Sequence, residues 1–507
     1  MNDEELKKKL NSLLASGLSY LNNNSPKKAL HEFKQIFIHK PDNANILNFI
    51  GLCYFQLKSY QNALFYIKKA IKNNVREVGF YINLGNVYKD LKNYDEALKT
   101  YLSFFKINNN SPELFYNIGT LFAAQHKHEE SSVYYKKALT IELNNKYTLN
   151  NLANSYKELS KFDEAITLYN KAIEVDKNYY PAHYNLGLIL LLKNPSKFAW
   201  EKYEYRESKI KNLNIIKNVP KWNGLNLKNK TLLIICEQGI GDSVQFIRYV
   251  KKIKEDQLNI YLLIKKNLTY LFQNIDGVDK IFLDENNIPH IDFYISLMSL
   301  PFIYRNEKIL PTTYMPFKSD LKLNKYWKNK LNINKKYKIG IVWQGDKINN
   351  SDYKRSIPLK IFQPILELKD FQFVSLQKDI GREQIKLNKF ENLITDFYGN
   401  IDDKPFEDTL SIIESLDMVI TVCTAIGHIS ATMKKNTWII VPLVPDFRWG
   451  LKGHTTKWYN SVRLYRQKKL NEWSDVIHDL KKDLVKKYNI KIKFDLQNKI
   501  SCHKSIL

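Results

Sequence analysis

Small residues recur every 34 positions along the first two fifths of the chain: Gly17, Gly51, Gly85, Gly119, Ala153 and Gly187. A second series, Ala29, Ala63, Ala97, Ser131 and Ala165, keeps the same interval. Rings follow both. Tyr20, Tyr54, Tyr88, Phe122 and Tyr156 stand three residues after the first series, and Phe33, Tyr101, Tyr135 and Tyr169 four after the second. So regular a repeat confines this region to a stack of equal units, because one unit cannot bury its apolar face alone. Two small positions per unit, each flanked by an aromatic, suit two antiparallel helices that approach closely while rings fill the gaps. Five helical hairpins are expected from about Asn11 to Tyr179, with a further helix from Tyr180 closing the stack. The segments NLGNVYKDLKNYDEALKTY (83–101) and NLANSYKELSKFDEAITLYNKAIEVD (151–176) lie within it.

Those two segments resemble the tetratricopeptide repeat, which implies an α-helical solenoid over residues 1–195 that offers a concave surface to a protein or peptide. Beyond LILLLKNP (188–195) the interval is expected to stop. FAWEKYEYRESK (198–209) reads as an amphipathic helix, and Pro220 and Gly224 mark a boundary, so 196–225 is read as a linker. The pattern then changes. TLLIIC (231–236), NIYLLI (259–264), KIFL (280–283) and DFYISL (292–297) are short apolar runs between helix-compatible stretches. KIGIVW (338–343), FQFVSL (371–376), MVITVC (418–423) and TWIIVPLV (437–444) form a second set. Alternation of this kind predicts parallel sheets, hence two α/β domains over 226–325 and 326–507, the second ending in a helix.

Composition narrows the partners. Lys and Arg number 78 against 52 Asp and Glu, a net charge of +26, which favours anionic ligands such as nucleotide sugars, membrane lipids or nucleic acid. A nucleic-acid role rests on charge alone, since no ribonucleoprotein motif, helix-turn-helix signature or zinc knuckle is evident. Cys53, Cys236, Cys423 and Cys502 are far apart and form neither a metal-ligand cluster nor a disulfide framework. The charged start MNDEELKKKL and the lack of a run of ~20 apolar residues predict a cytoplasmic protein, with a peripheral place at the inner membrane left open.

Ligands of open α/β sheets bind beyond the carboxyl ends of the strands, so the residues just past each apolar run carry the functional information. The first strand ends in EQGIGDS (237–243), where Gly239 and Gly241 allow a tight turn and Asp242 stands near a helix start. A dinucleotide fingerprint would need a third small residue where Val244 stands, which argues against a nicotinamide or flavin site. TLLIICEQGIGDSVQFIRYV, GIVWQGD (340–346), KRSIPL (354–359), FVSLQKD (373–379), DMVITVCTAIGHISA (417–431) and VPDFRWG (444–450) follow in order. Together they resemble bacterial tetratricopeptide-repeat glycosyltransferases, whose catalytic half is similar to the lipopolysaccharide heptosyltransferases and whose domain order is like that of the protein O-linked N-acetylglucosamine transferases.

The resemblance implies a GT-B fold: two Rossmann-like domains across a cleft, the first on the acceptor side and the second binding a nucleotide-diphosphate sugar, with no metal or other cofactor. It makes Asp242 the general base of an inverting transfer, with Glu237, in the same loop as Gly239 and Gly241, as the fallback. Asp is also a preferred helix-capping residue, which is the plainer role for Asp242. Arg355, with Lys354 as substitute, matches a basic position against the donor phosphates. Thr424 and Ala425 open a helix whose free N–H groups suit an anion, and His428 follows on the same face. Gln377, Lys378 and Arg448 complete the donor-side set, with Trp449 beside them. Family members carry an aspartate where this chain has Cys423, and a thiol cannot accept the hydrogen bonds of an ionised carboxylate. Two other readings stand beside protein glycosylation: transfer to a lipid or polysaccharide, and a non-enzymatic repeat scaffold with a degenerate transferase domain.

Overall fold

The computed structural model describes residues 3–209, 213–253, 258–305, 317–331, 336–346, 351–397 and 405–490; Cys502 lies outside them. The chain divides into two compact units, Met1–Asn185 and Leu186–Leu507. In the first, the described helices form five consecutive hairpins: α1 (Asp3–Asn22) with α2 (Pro26–His39), α3 (Ala44–Gln56) with α4 (Tyr60–Asn73), α5 (Val78–Asp90) with α6 (Tyr94–Phe105), α7 (Pro112–Ala124) with α8 (His128–Ile141), and α9 (Lys146–Glu158) with α10 (Phe162–Val175).

The 34-residue interval is a packing rule made visible. A Cβ on Gly85 would lie 2.1 Å from the Tyr101 ring, and one on Gly119 would lie 2.6 Å from that of Tyr135. These helix pairs close on a bulky side chain that only a small residue admits, a ring opposite Gly85 and Gly119 and Ile67 opposite Gly51. The turns inside the hairpins keep the same beat: Asn24, Lys58, Lys92, His126 and Ser160 each have φ between 53° and 61°, the left-handed conformation that ends a helix tightly.

The interval also runs one hairpin further than expected. In α11 (Tyr180–Lys193), Gly187 faces α12 (Lys197–Tyr203), and a Cβ there would lie 2.6 Å from the backbone nitrogen of Tyr203. Buried Ala199 and Tyr203 stand 34 residues after Ala165 and Tyr169, so they continue both series. Residues 196–225 thus differ from the expected linker. The short α12 passes into 3-10 turns over Glu204–Lys209, and both belong to the second unit. Arg206 donates to the hydroxyls of Ser296 (2.9 Å) and Ser299 (2.8 Å), and the Trp200 ring meets Phe246 and Phe447 edge-on.

Two all-parallel sheets make up the rest of this unit. The first contains β1 (Thr231–Ile235), β2 (Asn259–Leu263), β3 (Lys280–Phe282) and β4 (Phe293–Ser296) in the order β3-β2-β1-β4. The second contains β5 (Tyr337–Val342), β6 (Phe371–Ser375), β7 (Ile394–Thr395), β8 (Met418–Val422), β9 (Thr437–Val441) and β10 (Val462–Arg466), ordered β10-β9-β8-β5-β6-β7. All its neighbours are parallel as well. Its core gathers Ile339, Ile341, Phe373, Ile420 and Ile440 with Leu480 and Leu484 of the helix Ser474–Lys487. The edge strands β7 and β10 lay outside the eight apolar runs. One is only two residues long, and the other, VRLYR, interleaves arginines as edge strands commonly do. In each sheet the first strand in sequence lies beside the fourth, so the winding reverses between β1 and β4 and again between β5 and β8. At such a reversal the flanking connections diverge and leave a crevice. Among the described residues no helix is long and apolar enough to cross a membrane.

Candidate functional site

Strand β1 delivers the chain through Cys236 and Glu237 to a turn that opens helix α13 (Ile240–Phe246). Asp242 caps this helix: its Oδ2 accepts from the Gly239 N–H at 3.0 Å. The capping role and a place in the site are not exclusive, because the other oxygen, Oδ1, accepts from Nη2 of Arg448, which comes from the turn after β9. Arg448 is anchored from its own loop. Its Nη1 donates to Asp446 Oδ1 at 2.6 Å, and its guanidinium lies 4.4 Å from the Phe447 ring centroid. Its Nε has no hydrogen-bond partner among the described residues. The two neighbouring acids and Tyr203 outweigh burial and hold this arginine firmly protonated.

Gly241 lets the two turns meet. A Cβ there would be 2.9 Å from His428 Cδ2 and 3.6 Å from Ala425 Cα, so any side chain would push α13 away from the helix Ala425–Thr432. His428 is buried in that helix, stacks on Trp449 with centroids 5.0 Å apart, and shares a 3.0 Å hydrogen bond through Nδ1 with the Tyr459 hydroxyl. Burial first, then Arg448, Arg248 and Arg355, drive its pKa well below the ordinary histidine value, so the ring is neutral. Thr424 is the residue before this helix and shares a 3.0 Å hydroxyl contact with Thr421. Arg355 reaches the same strand end: Nη1 donates to the Cys423 carbonyl at 2.7 Å and Nε to Asp352 at 3.0 Å. Gly345 leaves it room, since a Cβ there would fall 2.5 Å from Arg355 Nη2. Burial pushes the Cys423 thiol up to about 12, so it is protonated at neutral pH.

Glu237 occupies the reversal point of the first sheet. Its Oε1 accepts from Ser296, at the end of β4, and lies 3.5 Å from Arg206 Nε; Oε2 has no hydrogen-bond partner among the described residues. Burial raises this carboxyl above the usual range, with Arg206 and the Ser296 hydroxyl pulling it down. Arg206 in turn pairs with Glu204 at 2.6 Å, and Glu204 with Lys221 at 2.8 Å. None of Arg206, Ser296 and Ser299 stood out in the sequence. The signal for Arg206 was the continued 34-residue interval that puts Tyr203 and its neighbours in a packed hairpin.

Gln377 is held by backbone groups. Its Oε1 accepts from the N–H groups of Trp343 (3.2 Å) and Gln344 (3.0 Å), and its Nε2 donates to the carbonyls of Gln344 (3.0 Å) and Ile380 (2.9 Å). Every donor and acceptor of that carboxamide is spent on joining the ends of β5 and β6. Lys378 lies with Nζ 5.0 Å from the Phe406 ring centroid. Asp242, Arg448, His428, Thr424, Ala425 and Arg355 thus form one cluster with Gly239 and Gly241. Glu237 adjoins it, and Gln377 and Lys378 belong to the neighbouring β6 turn.

In the first unit, Asn83, Asn117, Asn151 and Asn185 also recur at 34 residues, each half-buried. Asn83 donates to Asn48 (3.0 Å), Asn151 to the Tyr116 hydroxyl (3.0 Å) and Asn185 to Asn150 (3.0 Å).

Comparison with known proteins bears on this region. Models of the tetratricopeptide repeat match residues 112–145 and 153–194, and a model of anaphase-promoting complex, cyclosome, subunit 3 matches 36–104. The helical series is a tetratricopeptide-repeat array. Protein FlbA of Caulobacter vibrioides is 23% identical over 300 residues, 54% of this chain and 50% of that protein, so the chain spans about half the length of the curated relative it matches. A thermophilic TPR protein of Thermus thermophilus is 21% identical, with 36% of this chain and 100% of that one covered and a TM-score of 0.33. For pilF of Pseudomonas aeruginosa the figures are 16%, 40%, 89% and 0.32.

Proposed function

We propose that the chain is a metal-independent, inverting glycosyltransferase of GT-B architecture that moves a sugar from a nucleotide-diphosphate sugar to a protein acceptor bound by the repeats. One observation carries this reading: an acid from the first sheet's β1 turn, Asp242, meets an arginine from the second sheet's β9 turn, Arg448, against a helix start. Inverting transfer needs those parts together. An acceptor hydroxyl attacks the anomeric carbon while the bond to the diphosphate breaks. Asp242 takes the hydroxyl proton, and Arg448, Arg355 and the first N–H groups of the helix Ala425–Thr432 receive the charge that develops on the leaving phosphate. The neutral His428 packs beneath as a hydrogen-bonding wall.

The test is turnover of a panel of nucleotide sugars by the purified chain. Release of nucleoside diphosphate is expected, and Asp242→Asn should lower it by about 10²–10⁴-fold, the usual contribution of a general base. Absence of turnover across the panel, or an unaffected Asp242→Asn, refutes the assignment. A second reading, the scaffold with a degenerate transferase domain, is favoured by the protonated Cys423 thiol where the related enzymes carry an aspartate. Failure of every nucleoside diphosphate to bind would select it.

A further inference from the structure

Arg448 grips two carboxylates at once, one through each terminal nitrogen: Asp446 through Nη1 and Asp242 through Nη2. A guanidinium fork offers each terminal nitrogen to a separate anion, so a phosphate can take the place of one carboxylate while the other stays bound. The two acids are not equivalent. Asp446 belongs to the arginine's own turn and also accepts from the Arg448 backbone N–H at 3.0 Å, so it travels with the arginine. Asp242 comes from the other sheet, and 27% of its side-chain surface is exposed against 7% for Arg448. Its second oxygen holds the cap of α13 independently of Arg448. Releasing Arg448 would therefore leave α13 capped and the Asp242 carboxylate open to a hydroxyl.

The loop around Arg448 is braced for such an exchange. Arg466 donates to the carbonyls of Trp449 (2.6 Å) and Gly450 (2.8 Å), so the backbone stays while the side chain turns. Arg448 Nε, buried and without a partner among the described residues, is a donor in reserve. Resting on the transferase reading above, we infer that the Asp242–Arg448 pair is a latch opened by the donor: the diphosphate displaces Asp242 from Arg448, and only then is Asp242 released to accept the acceptor's proton. Donor binding precedes acceptor activation, and the base stays shielded until a sugar is in place.

The latch has a thermodynamic signature. While closed it competes with the diphosphate for Arg448, so apparent affinity is reduced by the fraction of molecules that are open. Removing the competitor should tighten binding. ADP, GDP, UDP and CDP are titrated calorimetrically into the full chain, its Asp242→Asn variant and, as a control for loss of one nearby negative charge, Asp446→Asn. Asp242→Asn is expected to tighten the best-bound diphosphate by about 10-fold, within the usual range of coupling between sites, with Asp446→Asn showing no such gain. Unchanged or weaker binding by Asp242→Asn, or an equal gain in Asp446→Asn, overturns the latch while leaving the transferase reading intact. No binding by any of the three proteins removes the donor site and the latch with it. Hydrogen exchange on the unmodified chain gives a measurement independent of any variant: the same diphosphate should slow exchange at 445–450 and leave exchange at 239–246, where Asp242 still caps α13, unchanged. Slowing at both segments overturns the proposal.

Discussion

Gly187→Ala sets two physical effects against each other, and their balance tests whether the sixth hairpin is built as described. Intrinsic helix propensity favours alanine in a helix interior by about 1 kcal/mol. Packing opposes it. The new Cβ would lie 2.6, 2.8 and 2.9 Å from Tyr203 N, Lys202 C and Tyr203 Cα, all backbone atoms that no rotamer change can move. Carbon contacts are comfortable at about 3.5–4.0 Å, so α11 and α12 would have to separate by roughly 1 Å. Overpacking of this kind costs about 1–3 kcal/mol, and the rigid neighbours argue for the upper end. The net expectation is destabilisation by about 2 kcal/mol, or roughly 4 °C in the melting temperature of a unit of this size. Gly119→Ala is the control. It meets the Tyr135 ring at 2.6 Å, a side chain able to give, and Ala153 already occupies the equivalent register. Scanning calorimetry of the full chain should show the transition of the second unit lowered by Gly187→Ala and the first unit changed less by Gly119→Ala. A raised melting temperature in Gly187→Ala, or an effect no larger than that of the control, would refute the close approach of α11 and α12.

Two further expectations concern buried polar groups. Burial raises the Glu237 carboxyl above its ordinary range, so the folded chain holds that proton more tightly than the unfolded chain. Stability from this group is therefore lost as pH rises from the ordinary carboxylate value through the raised one, with no change below both. Urea unfolding across that interval should show a downward slope that Glu237→Gln flattens, and an unaltered slope would contradict the burial argument. Gln377→Leu should leave the N–H groups of Trp343 and Gln344 unpaired in a buried position and cost about 3 kcal/mol in the same assay, at about 1–3 kcal/mol per orphaned group. A cost near zero would contradict this anchoring of Gln377.

The residues that were legible in advance share a local cause. Glycines and alanines at a constant interval register helix pairs 16 residues apart, as Gly85 and Tyr101 do, and such contacts leave a periodic trace. The eight apolar runs became strands, whereas β7 is too short to form a run and β10 breaks its own with arginines, which is why those two were missed. Near the end of the repeat the visible pattern faltered, since α12 is only one helix of seven residues and its neighbours are polar, yet Ala199 and Tyr203 were on the beat.

By itself, then, the order of residues determined the helical array, the parallel character of both sheets and the strand ends at which Asp242, Arg355, Thr424, His428 and Arg448 stand. It could not determine their partners. That Asp242 meets Arg448 across 206 positions, that Gln377 spends its whole carboxamide on backbone, and that Glu237 is buried beside Arg206 were decided by tertiary structure. The reason is physical: propensity and periodicity are set by neighbours along the chain, whereas the pairing of a charge depends on which turns the packed sheets and helices bring within hydrogen-bond reach.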